Sequence, residues 1–374
     1  MHIEDNIRKE INNTFGIEVE LDKCNLKSII DKLKRKENLS ENEVVIAMSS
    51  LMSNDVSKDD IALYLKYLHE KGETVDEIAI SASVMRIFAT KIYNVDNKEK
   101  FKNIEIVDCC GTGGGINIFN ISTIISFILA AGGLYVAKHG NRAITSRSGS
   151  ADIIEALGAK IDIPANKVGE CIINTRMGFL FAPHFHQATK NVQKVRRSIK
   201  HRTIFNILGP LTNPANPTYQ IIGVYDKNLT EKIVKVLKLL KVKRAIVVHG
   251  FTPCGKGMDE VSTLGRTQVS ELLMNGGISN YIFSLNEIGL SQTTIENLKC
   301  SNIDENVKVV RKILTGSITG PRLEIVLLNA AFGFMASNRV KNVQEGFDLS
   351  LKLINNGECK RVLNNFIHFT NEIK

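Results

Sequence analysis

The sequence holds no C-x-x-C pair, no uninterrupted apolar stretch of membrane-spanning length, no internal repeat and no low-complexity tract. Each absence removes a class of protein. The longest apolar stretch, Ile121 to Val136, is broken by Ser122, Thr123, Ser126 and two glycines, short of the roughly 18 residues a spanning helix needs. No membrane partner is expected. The N-terminus, MHIEDNIRKEINN, is charged from its fourth residue and lacks the apolar centre of a secretory signal, so a cytoplasmic protein is expected. The seven cysteines (Cys24, Cys109, Cys110, Cys171, Cys254, Cys300 and Cys359) are odd in number and scattered. They read as reduced, mostly buried thiols, and packing is the expected role of the adjacent Cys109 and Cys110.

At 374 residues and 43% hydrophobic content the chain can bury one large or two ordinary cores. Its net charge of +9 suits phosphorylated substrates or polyanions. The densest basic stretch, KNVQKVRRSIKHR at 190 to 202, has no interleaved aromatics on which bases could stack, which argues against nucleic acid as partner.

From Leu26 to Tyr93 the apolar spacing is helical, and three capping boxes open helices: Ser40 with Glu43, Ser57 with Asp60, and Thr74 with Glu77. Residues 1–25 read as a short extension. After the polar stretch Asn94 to Lys102 the pattern changes to short apolar runs alternating with helices: IEIVD, LYVAKHG, FLFAP (179–183), YQIIGV (219–224) and RAIVVHG (244–250). A helix is expected at 229–241, and two more over LEIVLLNAAFGFMAS and VQEGFDLSLKLINN, the latter closed by Gly357. The fold class is thus α/β: a small all-helical N-terminal domain (26–100) and a large α/β domain (101–374) around a mainly parallel sheet.

Three constellations carry chemistry. Gly111-Thr112-Gly113-Gly114-Gly115 follows the strand IEIVD and precedes a helix opening at Asn120-Ile121-Ser122-Thr123. Its glycines let backbone N–H groups approach an anion, and the helix end adds a favourable dipole. Its spacing is neither that of a Walker loop nor G-x-G-x-x-G. Second, Lys138-His139-Gly140-Asn141-Arg142 ends the next strand and is followed by Ser146-Arg147-Ser148-Gly149-Ser150; two polar loops at strand ends can converge on one crevice. Third, Met258-Asp259-Glu260-Val261-Ser262 follows RAIVVHG. Adjacent carboxylates at a strand end suit Mg²⁺, which takes few protein oxygens.

GTGG, FNIST, VAKHGNRA, SGSAD, RTIFNILGPLTNP (202–214) and GMDEVS occur in that order, with EN at Glu305-Asn306, LNAA at 328–331 and EG at Glu345-Gly346. In these motifs the chain resembles the anthranilate phosphoribosyltransferase family from about residue 26 to 365. The resemblance implies a helical domain completed by residues 188–212, a homodimer formed through it, and two Mg²⁺ ions. It also implies transfer of phosphoribose from 5-phosphoribosyl 1-pyrophosphate (PRPP) to anthranilate. By motif, Gly111, Thr112, Gly113, Gly114, Asn120, Ser122, Thr123, Lys138 and Ser150 would hold PRPP. Gly111, His139, Asn141 and Arg196 would receive anthranilate, and Ser122, Asp259 and Glu260 would bind the metal. No side chain is implied as nucleophile or general base.

Two features depart from the family pattern. The family loop continues GTGG-Asp-Gly with a threonine before the FNIST-like stretch; here Gly115-Ile116-Asn117-Ile118 omits the aspartate and places Ile118 at the threonine. The loop Gly250 to Gly257 is also longer. The alternatives are another aromatic acceptor, nucleoside phosphorolysis, or a non-catalytic nucleic-acid-binding homologue. Retention of Asp259-Glu260 and of Lys138-His139-Gly140-Asn141 favours phosphoribosyl transfer, because phosphorolysis needs no ions for a pyrophosphate and a binding protein needs no metal pair.

Overall fold

A computed structural model of the chain describes residues 2–21, 25–53, 56–94, 98–116, 118–143 and 148–373. Cys24, Asn117 and the Ser146-Arg147 pair lie outside the described residues. The chain divides into two compact units, one comprising Met1–Thr90, Pro183–Pro214 and Lys235–Lys241, the other Lys91–Ala182, Ala215–Val234 and Val242–Lys374.

The first unit is helical: α1 (His2–Phe15), α2 (Leu26–Lys34), α3 (Glu41–Ser53), α4 (Lys58–Lys71) and α5 (Val75–Phe88). Side chains fix where these helices begin. The Asn25 carboxamide accepts the Ser28 N–H at the start of α2, and Thr74 and Glu77 form a reciprocal box at α5. Ser40 and Glu43 do the same before α3, the Ser40 N–H donating to Glu43 at 2.6 Å. At α4 the reciprocal bond comes from the Ser57 hydroxyl to Asp60 instead of from its backbone. Residues 1–25, set apart in the sequence as an extension, contribute α1 to this unit; α1 packs on α5 and buries Ile7 and Ile11. Segment 183–214 adds a short helix, Lys190–Arg196, against α4, and the Arg86 guanidinium holds the Leu211 carbonyl at 2.7 Å.

The Lys71–Glu77 ion pair in this unit is deeply buried. Lys71 Nζ lies 2.8 Å from Glu77 with side chains 3% and 2% exposed, and the same carboxylate accepts the N–H groups of Leu39 and Thr74. A buried pair that is this fully hydrogen-bonded holds its geometry tightly, and losing one member strands the other charge.

The second unit is built on a seven-stranded sheet of order β3-β2-β1-β4-β5-β6-β7. The strands are β1 (Ile106–Gly111), β2 (Tyr135–Gly140), β3 (Met177–Phe181), β4 (Tyr219–Gly223), β5 (Arg244–Gly250), β6 (Thr267–Leu272) and β7 (Ile278–Phe283). The first five are parallel. Their near-continuous apolar runs are what a sheet covered on both faces requires, and helix Ile121–Ala131 is buried along most of its length against helix Pro321–Ala336. Strands β6 and β7 form an antiparallel hairpin on the edge, which the sequence reading did not anticipate. Its signal was present: QVSEL and ISNYIF flank Asn275-Gly276-Gly277, with Gly276 at φ +79°. A further helix, Glu358–Glu372, starts directly after Gly357, which is left-handed at φ +82°. Among the described residues no helix is long and apolar enough to cross a membrane.

Removing one member of the Lys71–Glu77 pair is expected to be costly. Glu77→Ala should lower stability by about 3–5 kcal/mol, read as an earlier urea transition, whereas Glu37→Ala, which breaks a solvent-screened surface pair with Arg35, should leave the transition nearly where it was.

Candidate functional site

In the α/β unit the chain runs from β1 outward to β2 and β3, then returns to place β4 on the other side of β1. Loops leaving β1 and β4 therefore diverge, and the crevice at such a switch point is where open α/β sheets bind ligands. Gly111 and Gly223 are register partners on its two sides. Neither has a side chain, and Asp259 occupies the space this leaves. A Cβ at Gly223 would run into the Asp259 backbone, and one at Gly111 into its carboxylate.

The glycine loop closes around the same carboxylate. Gly113 takes φ +69° and Gly114 φ +87°, conformations that cost an L side chain about 1–2 kcal/mol, and the Gly113 N–H thereby donates to Asp259 Oδ2 at 2.9 Å. Gly115 faces Asp259 and the Met258 backbone with no room for a side chain. Thr112 ties the loop to β4: its N–H donates to the Gly223 carbonyl at 2.9 Å and its hydroxyl accepts the Tyr225 N–H at 3.1 Å. The Ile116 N–H donates to the Gly257 carbonyl at 3.1 Å, so the long 250–257 loop is pinned to the glycine loop at its end.

Below the loop, Lys138 at the end of β2 is 1% exposed. Its ammonium donates to the Cys109 carbonyl at 2.9 Å and to Ser122 Oγ at 3.2 Å, and among the described residues no carboxylate is ion-paired with it. A buried cation thus sits at the N-terminal, positive end of helix Ile121–Ala131. Thr123 is fully buried and its hydroxyl has no hydrogen-bonding partner among the described residues. Burial pushes the Cys109 thiol up to about 12, and raises Cys110 well above the ordinary thiol range with Asp108 adding to the effect. Both stay protonated, and neither is a nucleophile here.

The loops after β2 and before helix Ser150–Ala156 fold onto each other. The Asn141 carbonyl accepts the Ala151 N–H at 3.2 Å and the Ser150 hydroxyl at 3.5 Å, Asp152 accepts the N–H groups of Gly149 and Ala143, and Arg142 pairs with Asp152 and Glu155. His139 is buried, its N–H donating to the fully buried Asp108 at 3.3 Å. Asn120 turns its side chain inward to Ser148 and Asn306.

Glu260 has one carboxylate oxygen buried without a hydrogen-bonding partner among the described residues. Burial, reinforced by the Asp259 charge, holds this carboxyl well above the usual range. It lines a small cavity with Cys110, Ser122, Ile125, Asp259 and Asn329. The loop is held from behind by Asn329, which accepts the Val261 N–H at 2.8 Å and donates to its carbonyl at 2.9 Å. The roles of Asn329 and Asn306 are not marked by any spacing in the sequence; a carboxamide inside an otherwise apolar helix, LEIVLLNAAFGF, is the available signal for the first. Arg196 belongs to the helical unit. Its half-buried guanidinium lies over the Phe205 ring at 5.3 Å, burial lowers its affinity for its proton, and no acidic side chain pairs with it among the described residues.

Residues 27–89 match the family described as "Glycosyl transferase family, helical bundle domain", and residues 103–360 the one described as "Glycosyl transferase family, a/b domain". The chain is 43% identical over 348 residues to the anthranilate phosphoribosyltransferase of Acetivibrio thermocellus, covering 92% of this chain and 97% of that protein. Among solved structures it is similar to anthranilate phosphoribosyltransferase from Thermus thermophilus, with TM-score 0.83, 36% identity, and coverage of 91% and 99%. The Saccharomyces cerevisiae enzyme in complex with PRPP and Mg superposes with TM-score 0.81 at 26% identity, covering 94% of this chain and 99% of that one.

The tightness at the switch point is open to measurement. Gly223→Ala should cost about 1–3 kcal/mol through overpacking against Asp259, seen as an earlier urea midpoint. Gly209→Ala, where an added methyl meets nothing within 4 Å, should stay within about 0.5 kcal/mol.

Proposed function

This chain belongs to the anthranilate phosphoribosyltransferase family, and from that premise we propose that it transfers the phosphoribosyl group of PRPP to anthranilate, yielding N-(5-phosphoribosyl)anthranilate and pyrophosphate for tryptophan biosynthesis. The observation that carries the reading is the β1/β4 switch point, where a glycine loop, a helix N-terminus, a buried ammonium and an adjacent carboxylate pair meet.

Breaking the bond between ribose and pyrophosphate builds negative charge on the leaving group, and preorganised donors stabilise that charge as it develops. In this reading Gly111, Gly113 and Gly114 bring bare backbone up to the pyrophosphate, the Gly113 N–H passing from Asp259 to the ligand, while Thr112 anchors this loop to β4 through its N–H and hydroxyl; the first-turn N–H groups at Ser122 and Thr123 join them. Lys138, lacking a carboxylate partner among the described residues, supplies the compensating positive charge from below, and Ser150 reaches the phosphates from the neighbouring loop. Asn120 acts from behind, since its side chain is committed to Ser148 and Asn306.

The residues present fit a divalent cation. Two adjacent carboxylates and a hydroxyl suit Mg²⁺, which takes few protein oxygens and fills its remaining positions with water and substrate oxygens. Asp259, Glu260 with its unpaired buried oxygen, and the Ser122 hydroxyl would hold it. When bound, Mg²⁺ neutralises the leaving pyrophosphate; two ions per site belong to this reading.

The acceptor is an aromatic amine, neutral at pH 7, so it attacks without a strong general base and positioning dominates. His139, Asn141 and the backbone of Gly111 are the proposed positioning groups, and the Arg196 guanidinium offers a planar fork to the acceptor carboxylate. The missing loop aspartate does not leave the loop without a carboxylate, because Asp259 takes the Gly113 N–H. A cytoplasmic homodimer formed through the helical unit completes the reading.

Loss of anthranilate fluorescence on mixing the protein with PRPP and Mg²⁺ tests the reaction directly. Turnover should vanish with a chelator and return with Mg²⁺, and Asp259→Ala or Glu260→Ala should lower kcat/KM by on the order of 10²–10³; a folded protein without turnover on anthranilate would refute the reading. Arg196→Lys should raise the KM for anthranilate by on the order of tenfold with the KM for PRPP little changed, as expected when a bidentate fork becomes a point charge.

A further inference from the structure

Among the described residues, asparagine is the N-cap at helices Leu26–Lys34, Ile121–Ala131, Ile303–Leu314 and Val343–Asn355. At three of them the carboxamide caps its own helix: Asn25 accepts from Ser28 N–H, Asn302 from Glu305 N–H and Asn342 from Glu345 N–H, as N-cap asparagines ordinarily do. Asn120, before helix Ile121–Ala131, makes no such bond. Its side chain is drawn away by two other residues. The Asn306 carboxamide donates to Asn120 Oδ1 at 2.7 Å and to Ser148 Oγ at 3.0 Å, while its own oxygen accepts the Asn120 backbone N–H at 3.3 Å. The Ser148 hydroxyl donates to the same Asn120 oxygen at 3.0 Å, and the Asn120 amide reaches the Ser148 carbonyl at 3.4 Å.

We infer that Asn306 is a positioning residue for PRPP: by holding the Asn120 carboxamide it keeps that group from capping helix Ile121–Ala131, and so leaves the helix's first-turn N–H groups free for phosphate. This rests on the proposed function. An uncapped helix N-terminus retains donors and dipole for an external anion, whereas an internal cap consumes one of them. Asn306 is suited to the task because it is 3% exposed and rigidly mounted. Its helix, Ile303–Leu314, is capped by Asn302, and the preceding Glu305 is clasped by the Ser301 N–H and hydroxyl and by Arg322. The same contacts bridge two loops, since Ser148 opens the segment that carries Ser150. Loss of Asn306 releases Asn120 to fold back onto its helix, in competition with the substrate.

The test is PRPP affinity in the presence of Mg²⁺, by titration calorimetry on the full chain. Asn306→Ala should weaken PRPP binding by on the order of tenfold, as supporting contacts behind a ligand shell typically do, with the KM for anthranilate within about twofold of its original value. The distinguishing result is non-additivity: Asn120→Ala combined with Asn306→Ala should weaken PRPP binding no further than Asn306→Ala alone, because both changes act through one carboxamide, a coupling that a loss of mere packing would not produce. Affinity unchanged in Asn306→Ala, or losses that simply add in the double variant, would overturn the inference. Should Asn306→Ala fail to fold, Asn306→Asp, equal in size but without the two donated bonds, decides by the same comparison. An unaltered chain that binds no PRPP would strike at the proposed function and this inference together; an Asn306 variant of undiminished affinity strikes at the inference alone.

Discussion

A carboxylate can enter the crevice between β1 and β4 only because Gly111 and Gly223 leave their side-chain positions empty, and Asp259 fills that space. The consequence is steric before it is chemical. With Gly113 donating to Asp259 at 2.9 Å and Gly115 lying against Met258, the glycine loop, the end of β4 and the acidic loop after β5 are fixed relative to one another. Displacing any one of them by the volume of a methyl group would move the others. Asn329 extends the constraint into the core by clamping Val261 from both sides of its peptide, so the acidic pair is mounted on a buried helix and not on a free loop.

Charge follows from this geometry. Burial penalises the charged form of Glu260, and the neighbouring Asp259 carboxylate adds repulsion, so its carboxyl is held well above the usual range. Across the crevice Lys138 is a buried cation without an acidic partner among the described residues. Each side is short of the counter-charge that the other half of a magnesium–pyrophosphate ligand would bring. The +9 of the whole chain adds a favourable long-range field for such an anion.

Much of this was legible in the sequence because the decisive residues are local signals. Glycines cluster where backbone must come close, Ser40, Ser57 and Thr74 announce helix starts through residues three positions on, and β-branched runs such as RAIVVHG mark buried parallel strands. What escaped was of two kinds. The β6–β7 hairpin, although it had its Asn-Gly-Gly turn, alternates polar and apolar residues weakly, because β6 buries Ser270 and Glu271 along with its apolar residues and β7 leaves Ile282 half exposed. Helix Glu358–Glu372 follows its predecessor with only Asn356 and Gly357 between, so one glycine that looked like a terminus is also a beginning. The other kind was non-local: Asn306 meets Asn120 across 186 residues, and no spacing rule connects them. Arg196 stands in a unit separate from the glycine loop, and only its motif in the sequence links it to the acceptor.

The central claim is that the Gly113 N–H, held by Asp259 in the free chain, belongs to the pyrophosphate-binding surface. Protein labelled with ¹⁵N-glycine, with Gly113 assigned by its loss in Gly113→Ala, allows this to be followed by NMR as pyrophosphate and Mg²⁺ are added. The account predicts that the Gly113 amide resonance shifts as the ligand saturates, while that of Gly289, which closes the turn Leu285–Ile288 beyond β7, stays in place. A Gly113 resonance that does not move while pyrophosphate demonstrably binds would contradict it.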